Sequence, residues 1–364
     1  MYKKLVLAVF AALALCAGAR TVVVDGDDRS PLIAASVFDA NGTLVALTDT
    51  CGAFSARLPV AVRCMGYEAA TLDHEADTLA LAPASYGLPE MTFNLANRDV
   101  MRLICYVREY AGLAGSNDTT ALFSEYMVDY MLPVKKLKGF KGRGAPRTLA
   151  QRRVARIMDP HAGTDSIAVN PDDGELISWL MLASLPVERD GEYECFPDSV
   201  LSEGEHIVPG KYGPRVVFRT TPDAISESAD GLADRKDHRW SPWFFKIFGI
   251  TMDFTDLRIS RAYMREADGS RKPENLLMAT FSMEALGRGK LLRKVFDSKS
   301  PVQIKTYMEI YPVDREYLTV TEAKECEKDK TASWPMTVSP AAPALDAATA
   351  RLVEQAREIQ RNAR

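Results

Sequence analysis

The four histidines of this chain are the first residues to test for chemistry, because histidine supplies metal ligands and general bases. They are His74, His161, His206 and His238. Zinc sites need such ligands at fixed spacings, as in H-E-x-x-H, and none of the four falls in a motif of that kind. No G-x-S-x-G turn of a serine hydrolase occurs either. The sequence therefore predicts no catalytic residue, no metal ligand and no cofactor. A hydrolase site formed only by tertiary contacts stays open.

The cysteines predict no disulfide framework. Downstream of Cys16 their number is odd and their spacing is irregular, whereas frameworks use an even number of cysteines. One bridge, between Cys51 and Cys64, is left open because both lie in one small domain. The others are expected to be buried thiols or, for Cys195, an accessible loop residue. They are Cys51, Cys64, Cys105, Cys195 and Cys326.

One segment, residues 135–156, carries nine basic residues and no acidic residue. Clustered positive charge attracts anions, so the segment is a candidate docking site for lipid phosphate, an anionic glycan or an acidic partner. The alternative is that acidic residues after Asp159 compensate the charge in the folded protein. The candidate docking residues are Lys135, Lys136, Lys138, Lys141, Arg143, Arg147, Arg152 and Arg153, followed by Arg156.

Aromatic residues cluster at Trp240, Trp243 and Phe244. Such clusters stack on sugars or anchor interfaces, so these three are candidate contact residues. The alternative is that they fill a core where a strand enters a sheet. Paired carboxylates such as Asp253 and Asp256 are common in any acidic protein, and they indicate a site only where a cleft brings them together.

The N-terminus is typical of a secretory signal. Lys3 and Lys4 precede an apolar stretch, residues 5–15, that is too short to span a bilayer, and Ala17-Gly18-Ala19 supplies a cleavage site. The mature chain is expected to begin at Arg20 and to be exported to the periplasm or the outer membrane. Lipidation of Cys16 is an open alternative. No other apolar run approaches the roughly 20 residues of a spanning helix.

The composition is that of a globular protein, with 47% hydrophobic and 26% charged residues among 364. Loss of Lys3 and Lys4 with the signal would change the formal charge from −4 to −6. This mild acidity argues against nucleic acid as the partner. The predicted organisation is a signal peptide (1–19), a β-sandwich (20–83), an α+β region (84–332) and a Pro/Ala linker with a last helix (333–364).

Patterning predicts the elements of these regions. Residues 21–82 alternate apolar and polar positions between frequent turns, and Asn41-Gly42 favours a type I′ hairpin turn. Helical spacing at 100–107 and 122–131 predicts two helices, and a third is expected at 175–185. Strands are predicted at 250–263, 276–285 and 302–311. A helix at 346–362, after a linker at 335–343, is expected either to pack on the body or to capture a partner. The predicted fold class is α+β, with an antiparallel sandwich before a larger helical and antiparallel β region.

The first domain resembles the carboxypeptidase regulatory-like, or transthyretin-like, domain common at the N-termini of Gram-negative envelope proteins. The domain is an accessory one, so the resemblance implies a sandwich and no peptidase activity. Cys51 departs from the polar residue that is common before the turn glycine. The resemblance is carried by Val23-Val24-Asp25, Pro31-Leu32-Ile33-Ala34-Ala35-Ser36-Val37-Phe38-Asp39, Thr48-Asp49-Thr50-Cys51-Gly52-Ala53-Phe54 and Met65-Gly66-Tyr67.

The rest of the chain resembles exported proteins that couple this domain to a region of unknown function. The resemblance carries over no reaction. The expected function is that of a non-enzymatic binding or scaffold protein of the envelope, whose partner is an unknown envelope protein or glycan. The alternative is a hydrolase acting on envelope glycan or peptide. The matching segments are Tyr106-Val107-Arg108-Glu109-Tyr110, Met127-Val128-Asp129-Tyr130-Met131-Leu132, Phe281-Ser282-Met283-Glu284-Ala285-Leu286-Gly287-Arg288-Gly289 and Asp314-Arg315-Glu316-Tyr317-Leu318-Thr319-Val320.

Overall fold

A computed structural model gives the structure of most of the chain. The chain divides into two compact units, residues 1–85 (unit 1) and 86–364 (unit 2). The predicted signal, the predicted helix at 175–185 and Cys195 lie outside the described residues. The structure describes residues 20–84, 98–115, 119–133, 137, 146–159, 163–170, 203–243, 246, 249–267, 269, 271–289, 300–329 and 331–362.

Unit 1 is a β-sandwich of two sheets, as predicted. Their strand orders are β4-β1-β7 and β3-β2-β5-β6. Val23 and Leu81 from the first sheet pack in one core with Val37 and Val62 from the second. The sandwich is not purely antiparallel, because β1 pairs with β7 in parallel. The strands are β1 (Arg20–Asp25), β2 (Ser36–Asp39), β3 (Leu44–Leu47), β4 (Ala53–Ser55), β5 (Val60–Arg63), β6 (Ala70–Leu72) and β7 (Thr78–Leu81).

The turn between β2 and β3 lies at Asn41-Gly42, but it is not the predicted type I′ turn. Gly42 has a φ of 76° and Asn41 is not at positive φ. The Asp39 carboxylate explains the difference, because its Oδ1 accepts from the amides of Asn41 at 2.8 Å and Thr43 at 2.9 Å. An aspartate that caps its own turn removes the need for a second left-handed residue, and the pairing of β2 with β3 is shifted by a bulge instead.

The turn before β4 repeats this construction around Gly52. Asp49 Oδ1 accepts from the amides of Cys51 at 2.8 Å and Ala53 at 2.9 Å, and Gly52 has a φ of 71°. The carbonyl of Gly52 accepts from the Val23 amide at 2.7 Å, which ties the turn to β1. Cys51 is exposed in this turn and forms no disulfide with Cys64.

Unit 2 is built on one antiparallel sheet of ten strands. Their order is β11-β10-β9-β8-β17-β16-β15-β14-β13-β12, so two meanders meet where β8 pairs with β17. The strands are β8 (Val100–Ala114), β9 (Thr119–Pro133), β10 (Arg147–Asp159), β11 (Thr164–Val169), β12 (Gly204–Pro209), β13 (Pro214–Thr220), β14 (Ala224–Asp230), β15 (Ile250–Met264), β16 (Leu276–Gly289) and β17 (Val302–Leu318).

The predicted α+β fold class is wrong, because the two helices expected at 100–107 and 122–131 are the strands β8 and β9. Both faces of β8 are buried, so apolar residues follow one another without the alternation that marks a half-buried strand. A continuous apolar run also contains helical spacings, and Val100, Ile104 and Val107 satisfied them by chance. The described part of the chain is nearly all β, with two α-helices.

The two helices are α1 (Val320–Lys328) and α2 (Ala347–Asn362). The second confirms the helix predicted at 346–362, and Asp346 caps it by accepting from the amides of Ala348 and Thr349. Leu352 and Val353 are buried, and α2 lies against β10 and β11. Of the two expected roles for this helix, the structure shows packing on the body.

The sheet of unit 2 has one mainly apolar face and one polar face. Along β8, Leu103, Cys105 and Val107 lie in the apolar core, and the residues between them, such as Arg102 and Tyr106, lie on the other face. The apolar core collects side chains from β8, β9, β15, β16 and β17. The polar face carries charged side chains such as Asp129 and Glu284, which alternate with residues of the apolar core.

The C-terminal segment, residues 329–343, crosses the polar face and is held there by three arginines. Arg108 donates to the Pro343 carbonyl at 2.6 Å, and Arg147 donates to the Asp329 carbonyl at 2.8 Å. The Arg102 guanidinium lies over the Trp334 ring at 5.9 Å. Because the two hydrogen bonds go to main-chain carbonyls, they fix the path of the segment rather than the identity of its side chains.

Candidate functional site

The basic segment predicted to dock anions is only partly described. Arg147, Arg152, Arg153 and Arg156 lie on β10, and each contacts an acidic or hydroxyl group of a neighbouring strand. The lysines of the segment and Arg143 lie outside the described residues, so docking through them stays a prediction. The partners are Asp129 for Arg147 at 2.5 Å, Glu125 for Arg152 at 2.7 Å, Tyr126 for Arg153 at 3.3 Å and Asp165 for Arg156 at 2.6 Å.

The aromatic cluster separates into a packed residue and an exposed one. Trp240 exchanges two backbone hydrogen bonds with Phe254, at 3.1 and 2.9 Å, and their ring centroids are 5.5 Å apart. The Arg235 guanidinium covers the Trp240 ring at 5.3 Å. Trp243, three residues later, is 73% exposed. Phe244 lies outside the described residues.

The exposed tryptophan belongs to the connection between β14 and β15, residues 231–249, here called the β14–β15 loop. Asp230, the last residue of β14, holds the start of the loop. Its Oδ1 accepts from the Leu232 amide at 2.8 Å, and its Oδ2 lies 2.8 Å from His238 Nε2. The Leu232 side chain is buried in the apolar core. The loop is therefore fixed at its start by Asp230 and at its middle by Trp240.

The backbone of this loop is strained where it approaches Asp230. Asp237 and His238 have φ values of 56° and 49°, a region that residues with a Cβ adopt at a cost of about 1–3 kcal/mol each. The contact between His238 and Asp230 and the bond from the His238 amide to the Arg235 carbonyl at 3.2 Å hold this conformation. Strain of this kind is concentrated at sites where function fixes the backbone.

Several exposed cations lie on the β14–β15 loop, which also carries Trp243, or next to this loop. They share two properties: none has a carboxylate partner within 4.0 Å among the described residues, and all lie on the loop or beside it. Arg288 lies beside the loop because it pairs with Thr251 at the start of β15. The four on the loop are Arg235, Lys236, Arg239 and Lys246.

The turn between β12 and β13 adds a second exposed aromatic residue beside the start of the loop. The Tyr212 amide donates to the Ala233 carbonyl at 2.9 Å, and the Lys211 amide donates to Asp234 Oδ1 at 2.9 Å. Tyr212 is 51% exposed, with the Lys211 ammonium 5.2 Å from its ring centroid. We call the resulting site the cationic aromatic surface. It comprises Lys211, Tyr212, Arg235, Lys236, Arg239, Trp243, Lys246 and Arg288.

A cluster of charged groups lies on the polar face of the sheet next to the loop. Asp256 is placed there by a β-bulge opposite Glu284, and its Oδ1 accepts from Arg258 Nε at 3.1 Å. Arg258 also lies 3.4 Å from Asp230, and Lys305 lies 3.6 Å from Glu284. Burial raises the pKa of Asp256 to about 6, although Arg258 opposes the shift.

Comparisons with known proteins assign no family to this chain. No protein family and no curated protein matches it. A solved structure of lipid–protein interactions in lipovitellin is similar with a TM-score of 0.30 at 10% identity, over 62% of this chain and 26% of that one. The chain spans about a quarter of the length of that neighbour. A TM-score this low assigns neither fold nor function.

Two further findings concern the described part of the chain. It contains no helix long and apolar enough to cross a membrane, in agreement with the prediction of no spanning segment after the signal. It also holds no group of three or more histidine, cysteine or acidic side chains placed to bind a metal ion.

Sequence reasoning found Trp243 but missed most of the cationic aromatic surface. Tyr212 and Arg288 are distant from Trp243 in sequence, and the order of the strands brings them to the same end of the sheet as the loop. The sequence does indicate a locally basic region within 235–246, since these residues include four cations and one acid, Asp237. The longer basic segment at 135–156 is the stronger charge signal, and the predicted docking site rests on that segment alone.

The raised pKa of Asp256 predicts a pH dependence of stability. The folded carboxyl titrates near pH 6 and the unfolded one near 3.9, so the folded state binds the proton more tightly between these values. This contribution to stability is fully present below about pH 3.9 and is lost as the pH rises through about 6, at about 1.4 kcal/mol per unit of difference. Asp256→Asn removes it at every pH.

The measurement is urea unfolding of the wild type and Asp256→Asn at about pH 4, 5, 6 and 7. The free energy of unfolding of the wild type minus that of the variant should fall over this range. A difference that stays constant, or that rises with pH, would show that burial does not disfavour the Asp256 carboxylate.

Proposed function

We propose that this chain is an exported, non-enzymatic binding protein of the cell envelope and that unit 2 binds its partner through the cationic aromatic surface. The observation that carries the proposal is the exposure of Trp243. Tryptophan is highly buried on average, so an indole that is 73% exposed marks a candidate contact residue. Tryptophan, tyrosine and arginine are the residues that most often dominate binding energy.

The anchoring of the loop favours binding as well. Asp230 and Trp240 hold it at two points, and the contact between His238 and Asp230 fixes its strained backbone. The part of the loop up to Trp240 is ordered by these contacts, so it loses little conformational entropy on association. The same side chains on an unanchored loop would bind more weakly.

Unit 1 has an accessory role in this proposal. Its resemblance to the carboxypeptidase regulatory-like domain and the signal-like residues 1–19 support an exported protein whose sandwich docks to another envelope component. The sandwich fold of unit 1 is compatible with this role. The chemistry of recognition is assigned to unit 2.

The test is affinity capture of the tagged chain from crosslinked envelope fractions, with wild type, Trp243→Ala and Ile359→Ala compared. Ile359 is a matched control because it is an exposed apolar residue, on α2, away from the loop. Removal of a central aromatic contact costs about 2 kcal/mol, so recovery of the partner by Trp243→Ala should fall at least about 10-fold. Ile359→Ala should match the wild type.

Equal recovery with all three proteins would contradict the proposal. Circular dichroism of Trp243→Ala shows whether the variant still folds, because a misfolded protein would also lose capture of the partner. An unchanged spectrum with lost capture assigns the effect to the surface.

The hydrolase is a second candidate, because Asp256 has a pKa near neutrality and faces Glu284 across the strand pair. A carboxyl that stays protonated near pH 6 is suited to general acid catalysis. Turnover of cell-wall glycan or peptide by the purified chain, abolished in Asp256→Asn, would establish this candidate.

A further inference from the structure

We infer that the partner of the cationic aromatic surface is a membrane surface that contains anionic phospholipid. This inference rests on the proposed function, since it names the partner of the same site. It commits to lipid head groups rather than to a soluble glycan or a protein.

The first argument is the local charge. The β14–β15 loop, residues 231–249, holds four cations and two acids, a net charge of +2, whereas the whole chain carries −4. Charges act over only about 8–10 Å at physiological ionic strength. An anionic surface in contact with the loop therefore interacts with the local cations, and the acidity of the rest of the chain is largely screened.

The second argument is that the exposed aromatic residues are of the interfacial kind. The rings of tryptophan and tyrosine combine an apolar body with a polar group, and both residues concentrate at the head-group level of membranes. Trp243 and Tyr212 are both more than half exposed. The Lys211 ammonium lies 5.2 Å from the Tyr212 ring centroid, and Trp243 stands between Arg239 and Lys246 in the sequence. Exposed aromatic rings among lysines and arginines are the combination by which proteins attach to anionic bilayers without spanning them.

The third argument is the distribution of the cations over separate elements. Lys211 lies on the turn between β12 and β13, Lys236 and Lys246 on the loop, and Arg288 near the end of β16. Charges spread along one end of a sheet match a plane of head groups. A single small anion would instead need several of them to converge at one point.

The test is co-sedimentation with vesicles, using protein recovered from cells after export so that all variants share the same N-terminus. One set of vesicles is phosphatidylcholine alone and the other is phosphatidylcholine mixed with phosphatidylglycerol. The wild type should bind the second set only, and binding should weaken as salt is raised. The Trp243 contribution to fluorescence should shift to shorter wavelength on binding, since the indole leaves water.

Two double variants with the same change of charge separate local from overall electrostatics. Each lysine near an anionic surface contributes about 1 kcal/mol, so Lys236→Glu/Lys246→Glu should weaken binding at least about 30-fold. Lys324→Glu/Arg351→Glu changes two exposed cations on α1 and α2 and should leave binding within about 3-fold of the wild type.

Three outcomes would overturn the inference. They are equal binding to both vesicle sets, equal effects of the two double variants, and no binding to either set. If vesicles fail while Trp243-dependent capture of an envelope protein or glycan succeeds, the lipid partner is wrong and the proposed function stands. If both fail, the proposed function falls with it.

Discussion

Asp129→Asn should lower the free energy of unfolding of unit 2 by roughly 3–5 kcal/mol. The Asp129 side chain is 1% exposed, and its carboxylate lies 2.8 Å from Arg102 and 2.5 Å from Arg147. The amide keeps the shape of the side chain but removes the charge, so two largely buried guanidinium groups lose their shared counter-ion. Losing one partner of a buried ion pair is costly because the other charge stays desolvated.

The same substitution should also loosen the C-terminal segment. Arg147 donates to the Asp329 carbonyl at 2.8 Å while Asp129 holds its other nitrogens, and Arg102 lies over Trp334. Loss of the carboxylate frees both arginines to move. Trp334 fluorescence during urea unfolding therefore reports on the segment as well as on the sheet.

The matched control for Asp129→Asn is Glu354→Gln on α2. Glu354 also pairs with two arginines, Arg357 at 3.2 Å and Arg361 at 2.9 Å, but its side chain is 51% exposed. Exposed ion pairs contribute about 0–1 kcal/mol, so Glu354→Gln should change stability by less than about 1 kcal/mol. Similar losses in the two variants would contradict the role assigned to burial.

Gly52→Ala should destabilise the sandwich of unit 1 by roughly 2–4 kcal/mol. Gly52 has a φ of 71°, where a residue with a Cβ is disfavoured by about 1–2 kcal/mol. A Cβ on Gly52 would also lie 2.6 Å from the carbonyl oxygen of Val23, which belongs to β1. This neighbour is backbone within a sheet, so it cannot move aside without disturbing the pairing of β1 with β4.

Hydrogen exchange of the amides of β1 and β4, followed by mass spectrometry, measures this effect locally. The Val23 amide, which donates to the Gly52 carbonyl, should exchange much faster in Gly52→Ala. Gly213→Ala is the control, because a Cβ there meets nothing within 4 Å and φ is not positive. Unchanged protection of β1 in Gly52→Ala would show that the turn absorbs the added methyl group.

The sequence predicts the strands of this chain well where apolar and polar residue types alternate along the strand, even where both faces are buried, as in β16 and β17. Short alternating runs between Asp- and Gly-containing turns led to the sandwich, and the segments from Ile250, Leu276 and Val302 were recognised as strands. The long strands β8 and β9 carry apolar residues at most positions on both faces, so little alternation is left and their spacing predicts helices instead.

The candidate site was predictable only in part, for a different reason. Trp243 is recognisable in the sequence as part of an aromatic cluster. Tyr212 and Arg288 belong to the same surface only because strand pairing places them at the same end of the sheet. In the same way, Arg147 and Arg152 contact Asp129 and Glu125 because β10 pairs with β9 in one particular register. Counting charges along the sequence does not reveal this strand register, because the register depends on which side chains each face of the sheet buries.

The pairing of β8 with β17 has a consequence for how the polypeptide is made. Ala114 pairs with Gln303, so the ribosome must add about 190 residues after β8 before its partner emerges, which takes roughly 10–40 s at ordinary rates. During that interval β8 is an edge strand of the first meander, and its unpaired amides and carbonyls are available for pairing with a strand of another chain. Holding the nascent chain unfolded until synthesis is complete, as export through a narrow channel does, would keep that edge from meeting the wrong partner.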